Sequence, residues 1–381
     1  MTDFGLSSEE IQFRDSVRAF VDREIAPNAT RWDIEERYPR EMFARAGALG
    51  WLAVGFPEAV GGSGGGPVMA AILNAELTRG SAAISLGLYV HSMLASAAIH
   101  HLGDSDQNAR LLPDALAGRR IGCWGYAEAD AGADITCVKT RARRDGEVYV
   151  LNGAKLYITN SPFADFMVIV AVTDPARGLK GMSLFVVERD LPGVAISAPF
   201  RKLGMGASEM AEITLGDVRV PAANLLGPEH LGFVAALKVL SLGRIASAAT
   251  AVGLGRAALE EAVRYCGQRM QGGRPITRHQ FVRFTIADMA ARLEAAWQMT
   301  LHAARLAEAG GDYDCAAAMA KLFATETCTH ACERTLHLCG AQGYMRDSAA
   351  QRFYRDCKVL EIGEGTSEIQ RETIFRHVGK N

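Results

Sequence analysis

The sequence lacks the marks of a nucleic-acid-binding, secreted or membrane protein. Its 41 Lys+Arg almost balance its 43 Asp+Glu, for a formal net charge of −2. It therefore carries no basic footprint for a phosphate backbone. No block of like charges reads as a tail. The start, Met1-Thr2-Asp3-Phe4-Gly5, has no basic region followed by an apolar run, and it is not the Arg-rich, acid-poor start of a transit peptide. The expected location is cytoplasmic. No apolar stretch reads as a membrane span. The 8 cysteines form no paired framework and are expected to be reduced core thiols. Cys328, Cys332, His330 and His337 cluster, but their spacing fits no zinc pattern, so no metal is expected.

A nicotinamide fingerprint is missing as well. Gly61-Gly62-Ser63-Gly64-Gly65-Gly66-Pro67 lacks the last glycine of that motif and has no clear strand before it, so it reads as a turn between helices. Gly253-Leu254-Gly255-Arg256-Ala257-Ala258 fits the letters of a nucleotide pattern but lies among Ala and Leu, without a preceding strand or a following acid. It reads as close helix packing.

What is present is a chain of 381 residues, 49% hydrophobic and 22% charged, long enough for two or three domains. Ser7 and Glu10 have the form of a capping box, followed by Phe13, Val17, Phe20, Val21 and Ile25 at helical spacing. Pro27 interrupts that run. A second helix is expected over Arg40 to Leu49, and Ala/Leu-rich helices over 68–118, broken at Gly103 to Asp106. After Gly118 the pattern turns to strands. Glu147 to Leu151, Asn152-Gly153 and Lys155 to Thr159 read as a hairpin. Phe166 to Val172, Ser183 to Val187, Glu212 to Leu215 and Val218 to Val220 read as further strands. Helical periodicity returns over 231–268, 279–309, 313–340 and 367–378, which suggests an antiparallel four-helix bundle. The expected fold class is α+β: a helical domain (1–120), a middle β-barrel or sandwich domain (121–228) and a C-terminal helical bundle (229–381).

One stretch stands apart, Val359-Leu360-Glu361-Ile362-Gly363-Glu364-Gly365-Thr366-Ser367-Glu368-Ile369-Gln370. It sets Glu364 between two glycines, which let backbone and ligand approach closely. The residues alone allow two readings. One is a helix-start loop with Thr366 or Ser367 as N-cap. The other is a carboxylate base whose proton affinity rises on burial.

This stretch resembles the C-terminal signature of the acyl-CoA dehydrogenase family. Ala131-Gly132-Ala133-Asp134, Tyr157-Ile158-Thr159-Asn160, Asp217-Val218-Arg219-Val220-Pro221, Gln268-Arg269 and Arg352-Phe353-Tyr354-Arg355-Asp356 follow the family's order, so the resemblance covers nearly the whole chain. It implies FAD-dependent α,β-dehydrogenation of an acyl-CoA thioester. Glu364 would take the Cα proton, and flavin N5 would accept the Cβ hydride. Side chains cannot accept hydride, so a cofactor is required. By the same resemblance Trp124, Tyr126, Ala127 and Ala133 belong to the loop around the flavin ring. Tyr157 takes the place of a family Trp, Ile158 lies beside it, and Thr159 meets N5. Arg269 would bind the pyrophosphate, a task suited to its fork of donors. His279, Gln280, His337, Gly340, Ala341, Thr366 and Glu368 match stretches that hold the adenine half, in part across a subunit boundary. Ala133, Ser241, Arg244, Gly363 and Gly365 match positions near the substrate. On its own, Arg244 reads as a surface ion pair, and Tyr157 as a half-buried strand aromatic. The resemblance further implies a homotetramer, an electron-transfer flavoprotein as partner, and a place in fatty acid metabolism.

The chain departs from the family in several places. Ala127 and Ala133 replace hydroxyl residues, His337 stands where Gln is common, and Gly272 where Phe is common. Gly363 replaces a Tyr found before the base in many straight-chain enzymes, which suggests tolerance of branched or cyclic acyl groups. A branched-chain subgroup carries its base on another helix, at a position matching the neighbourhood of Gly243, which has no side chain to serve. Two alternatives share the fold: the same chemistry on a carrier-protein-bound acyl thioester, and an oxygen-using oxidase or monooxygenase. A non-catalytic helical partner protein is a reading from another class.

Overall fold

The structure, a computed structural model, describes residues 3–379. Met1 and Thr2, read above for targeting, lie outside them. Seven helices come first: α1 (Ser8–Phe20), α2 (Ala29–Glu35), α3 (Glu41–Ala48), α4 (Pro67–Gly80), α5 (Ala82–Tyr89), α6 (Ala97–Leu102) and α7 (Ser105–Leu116). The expected capping box starts α1. Glu10 N donates to Ser7 Oγ at 3.2 Å, and Ser7 N donates to the Glu10 carboxylate at 2.8 Å. Pro27 falls in a tight turn between α1 and α2. The glycine loop ends at Pro67, which opens α4, where its missing N–H costs nothing. Between α5 and α6 the backbone widens into π-helix over Val90–Ser96.

Eight strands form the middle sheet: β1 (Gly122–Gly125), β2 (Arg141–Asp145), β3 (Val148–Thr159), β4 (Phe166–Val172), β5 (Met182–Glu188), β6 (Val194–Ile196), β7 (Met210–Pro221) and β8 (Leu225–Leu226). The order is β6-β7-β3-β2-β4-β5-β8, with β1 parallel to β4. Backbone pairing leaves β6 and β8 as ends. Alternation places the two faces of β4. Met167, Ile169 and Ala171 enter a core shared with Tyr149, Phe185 and Ile213. Phe166, Val168 and Val170 pack toward helical residues such as Leu94, Ala98 and Phe233. Each fully buried valine here is worth about 1.5–3 kcal/mol.

The expected hairpin at Asn152-Gly153 is not formed. β3 runs straight through, and the turn lies one strand earlier, at Gly146 between β2 and β3. Asn152-Gly153 forms a register shift against β7 instead. Asn152 Nδ2 donates to Asp217 Oδ1 at 3.0 Å, while Asp217 N donates to Asn152 Oδ1 at 2.9 Å. A Cβ on Gly153 would strike Thr140 Oγ1 at 2.5 Å. The pair thus locks two strands together, and the expected strands at 212–215 and 218–220 merge into β7 across Asp217.

Five helices follow: α8 (Gly232–Gln268), α9 (Gln280–Glu308), α10 (Asp314–Gly343), α11 (Ala349–Ile362) and α12 (Ser367–Val378). In the sequence α11 shows only as motif residues. It carries Arg352, Tyr354, Arg355 and Asp356 and runs into the Glu364 loop. Asp356 accepts from Met205 N at 2.5 Å, and Arg355 Nη2 lies 2.5 Å from Asp33 of α2, so α11 ties all three parts together. The Gly253 reading holds: its Cβ would meet the Ala75 carbonyl oxygen of α4 at 2.1 Å, so bare backbone packs on backbone. Ala82–Leu102 and Gly232–Gln268 are long and apolar enough to cross a membrane by length and composition, and both are mostly buried inside the fold. Six of the cysteines are buried, but Cys137 is exposed and Cys315 half-buried, so the core-thiol reading does not extend to these two.

Candidate active site

Glu364 follows the end of α11 with φ of +55°, a left-handed conformation uncommon outside glycine. Gly365 continues at +82°. Three neighbours fix this bend. Lys321 Nζ, fully buried on α10, donates to Gly365 O at 2.7 Å. Gln370 Nε2 on α12 donates to Glu364 O at 3.1 Å and to Gly365 O at 2.9 Å. Thr366 is the N-cap of α12, accepting from Ile369 N at 3.4 Å. The loop therefore caps a helix, as the first reading expects, and in the same bend it presents an acid. The Glu364 N–H donates to no described residue, which leaves it free for a ligand oxygen.

The Glu364 side chain keeps some solvent access, yet protein atoms crowd its carboxylate. A Cβ built on Gly243 of α8 would lie 2.9 Å from Glu364 Oε2 and 2.9 Å from the Tyr89 hydroxyl. Burial pushes the Glu364 carboxyl above its ordinary range, against the downward pull of Tyr89, Lys321 and Arg244. The Tyr89 hydroxyl faces two acceptors, this carboxylate and Gly243 O at 3.4 Å. The carbonyl contact is long and weak. Burial also lowers Lys321 to a pKa of about 8, with Glu364 opposing that shift. Tyr126 is pushed up to about 12, mainly by burial and in smaller part by Asp134 and Glu364, which places the loop after β1 beside the same acid.

The residues matched to the substrate divide. Gly363 is exposed, and a Cβ there would meet only Val359 O, at 3.4 Å. Ser241 and Arg244 face Asp314. Ser241 Oγ donates to Asp314 Oδ1 at 2.6 Å, and Arg244 Nη1 does so at 2.5 Å. Arg244 is thus ion-paired, but with 16% of its side chain exposed it is not the surface pair its residue type alone suggests, and it also acts on Glu364. Ala133 is exposed in the loop after β1.

The residues matched to the flavin fall into two places. Trp124 is buried on β1, and Tyr126 stacks on Phe233 with ring centroids 6.0 Å apart. Tyr126 also donates to Gly132 O at 2.7 Å, and Ala127 O accepts from Leu156 N at 2.8 Å. Beneath them lies a buried ion pair, Lys155 Nζ to Glu128 Oε1 at 2.6 Å. Tyr157 sits at an irregularity of β3 with φ of +60° and 62% of its surface exposed, next to Phe200. Ile158 is core, and Thr159 is half-buried opposite Met210. Elsewhere, Arg269, Gly340 and Ala341 line an open cleft of about 450 Å³ with Tyr265, Gln271 and Gln342. None of these residues borders Glu364. His337 is exposed one turn before Gly340, Gln280 and Glu368 are exposed, and His279 is half-buried with an unpartnered Nε2. Sequence reasoning missed Tyr89, Lys321, Gln370, Asp314 and the Lys155–Glu128 pair. Lys321 had a signal, as a lone cation in the apolar run Ala316 to Phe323.

The helical, sheet and helical parts thus surround a crowded carboxylate. Three family models match in order: acyl-CoA dehydrogenase N-terminal domain (residues 7–119), middle domain (123–218) and C-terminal domain (230–379). An acyl-CoA dehydrogenase of Bacillus subtilis is 37% identical, with 98% of each chain covered. A solved chain from a study of the electron transferring flavoprotein of Acidaminococcus fermentans superposes with a TM-score of 0.97 at 33% identity, over 100% of both chains. Butyryl-CoA dehydrogenase from Megasphaera elsdenii gives 0.96 at 31%, over 99% of this chain and 100% of that one. The chain belongs to the acyl-CoA dehydrogenase family, whose members are FAD flavoproteins.

The residues present fit that cofactor. A pyrophosphate needs a free cation, and Arg269 has no ion-pair partner among the described residues where it borders the cleft. Gly340, at φ of +57°, breaks the end of α10 and opens space where a Cβ would meet nothing within 4 Å. A flat ring system needs an aromatic wall, and Tyr157 offers an exposed face.

Proposed function

We propose that Glu364 is the base of an acyl-CoA dehydrogenase that removes the Cα proton from a bound acyl-CoA thioester. One observation carries this reading. The carboxylate of Glu364 occupies the space left by the missing side chain of Gly243, where burial raises its proton affinity. An ordinary Glu, with a pKa near ~4.3, is too weak a base for a Cα proton. Crowding by the protein raises its affinity, and exclusion of water by a thioester would raise it further. The Glu364 N–H, which donates to no described residue, would hydrogen-bond the thioester oxygen and so acidify the Cα proton as it leaves. Lys321 and Gln370 hold the loop so that the acid and this donor keep their relative positions.

FAD, when bound, supplies the hydride acceptor. Trp124, Tyr126, Tyr157 and Thr159 would hold its ring, and Arg269, Gly340 and Ala341 its phosphates. Gly363, with no side chain and open space around it, supports acceptance of acyl groups that are wide near Cα and Cβ. An electron-transfer flavoprotein is the proposed acceptor of the electrons, supported by the A. fermentans match, and a homotetramer is the proposed assembly. The division at 120 and 228 belongs to the same proposal and is supported by the ranges of the three family matches.

Anaerobic mixing of the FAD-loaded enzyme with acyl-CoA tests the base. Glu364→Gln is expected to retain FAD and to slow flavin bleaching by at least about 10²–10⁴-fold, the range for a lost general base. Bleaching at the wild-type rate would move the base to another residue.

A further inference from the structure

Gly363 leaves Glu364 without an aromatic neighbour in its own loop, and a ring arrives from another helix. Tyr89 is the last residue of α5, directly before the π-helical segment Val90–Ser96. Such a segment re-aims the side chains next to it and often lies at functional sites. Tyr89 is 4% exposed, and its hydroxyl shares the space beside Gly243 with Glu364 Oε2. It also lines a mostly apolar cavity with Trp51, Leu73, Leu77 and Met93, where Asn74 and Ser92 are the polar members of the wall. The free volume there is about 10 Å³, room for about one water.

We propose that Tyr89 is a positioning and specificity-determining residue: its ring stops the acyl group at the depth of Glu364, and its hydroxyl holds the Glu364 carboxylate in place. The pocket is then wide, because positions 243 and 363 are glycine, and shallow, because position 89 is tyrosine. The substrate class is short acyl thioesters, straight or branched, rather than long fatty chains. This inference rests on Glu364 being the base. The other groups facing Glu364 are Lys321 on α10, Arg244 on α8 with Asp314 behind it, and Tyr126 after β1, while Glu361 and Glu368 act on Lys321. None of these walls the cavity.

Holoenzyme carrying Tyr89→Phe, Tyr89→Ala or Tyr89→Ile is compared with wild type on butyryl-, isobutyryl- and octanoyl-CoA. Tyr89→Ala is expected to raise the octanoyl-to-butyryl ratio of kcat/KM by about tenfold or more, which corresponds to burying two further methylenes. Tyr89→Ile keeps the core apolar and gives the same direction should Tyr89→Ala not fold. Tyr89→Phe is expected to keep the chain-length ratio. It loses a donor that favours the ionised carboxylate, so the acid limb of its kcat/KM profile moves to higher pH. A non-oxidisable octyl thioether of CoA, titrated by calorimetry, is expected to bind Tyr89→Ala more tightly than wild type. An unchanged ratio in both truncated variants, or an unmoved acid limb in Tyr89→Phe, overturns the proposal. If Glu364→Gln is inactive while the Tyr89 variants match wild type, the proposal alone fails. If Glu364→Gln still bleaches, the base assignment fails first.

Discussion

Gly243→Ala adds a single methyl group at the centre of the site. On an open helix face this change favours folding by up to about 1 kcal/mol, because alanine is the better helix former. Here the new Cβ lies 2.9 Å from both Glu364 Oε2 and the Tyr89 hydroxyl, and 3.5 Å from Leu94 Cδ2. Ordinary heavy-atom contact needs roughly 3.5 Å, so each polar atom must retreat by about half an ångström. Overpacking of this kind costs about 1–3 kcal/mol. Both crowded atoms end side chains, which places the cost at the low end, and the helix gain offsets part of it. The net loss of stability is therefore about 0–2 kcal/mol. The effect on rate is larger, since a displacement of about 1 Å can cost about 10². We expect flavin bleaching by acyl-CoA to slow about 10–100-fold while the unfolding midpoint in denaturant hardly moves. Gly267→Ala is the control, on the same helix with nothing within 4 Å of its Cβ. It should stabilise by up to about 1 kcal/mol with the rate intact. A Gly243→Ala enzyme that bleaches within about threefold of wild type would refute the geometry, because Glu364 could not then work from beside position 243.

Burial lowers the pKa of Lys321 from 10.5 to about 8. Between those values the unfolded chain holds the proton and the folded one does not, so stability rises with pH; below about 8 both hold it and the dependence ends. Lys321→Met should abolish that rise between about pH 8 and pH 10.5 in denaturant titrations, and a rise of wild-type size would show that another group causes it. The same variant loses the bond to Gly365 O and a charge that favours ionised Glu364, so its acid limb should move to higher pH. Gly363→Tyr should lower the ratio of isobutyryl-CoA to butyryl-CoA turnover; an unchanged ratio would show that position 363 does not set the width of the pocket.

The long helices were legible because their apolar residues recur with one period and are not interrupted. α8, α9, α10 and α12 begin and end within a few residues of where that period starts and stops. α11 was hidden because its inward face carries Arg352 and Asp356, whose partners come from α2 and from the segment before β7. The Asn152-Gly153 turn failed for a related reason. Local chemistry allows a hairpin there, but Asp217, far along the chain, claims the Asn152 amide. Glu364 was legible because its flanking glycines are local. Tyr89 and Lys321 were not, because each meets Glu364 only after α5 and α10 pack around α8.

The loop's strain points to the same division of labour. A non-glycine residue held at positive φ costs about 1–3 kcal/mol and persists only where its surroundings over-determine it. The surroundings here are one charged and two neutral hydrogen bonds, from Lys321 and Gln370, each to a backbone carbonyl. At about 1.5–3 kcal/mol for the first and about 0.5–1.5 for each of the others, together they outweigh the bend. All three act on the backbone; the carboxylate instead has the Tyr89 hydroxyl beside it, which lowers its proton affinity. A base must be fixed in position yet free to change protonation. Anchoring the main chain from α10 and α12 while leaving the acid a single neutral donor meets both requirements. It also explains why both Lys321 and Tyr89 should shift the acid limb, while Lys321 alone should govern the stability of the loop and Tyr89 which thioester reacts.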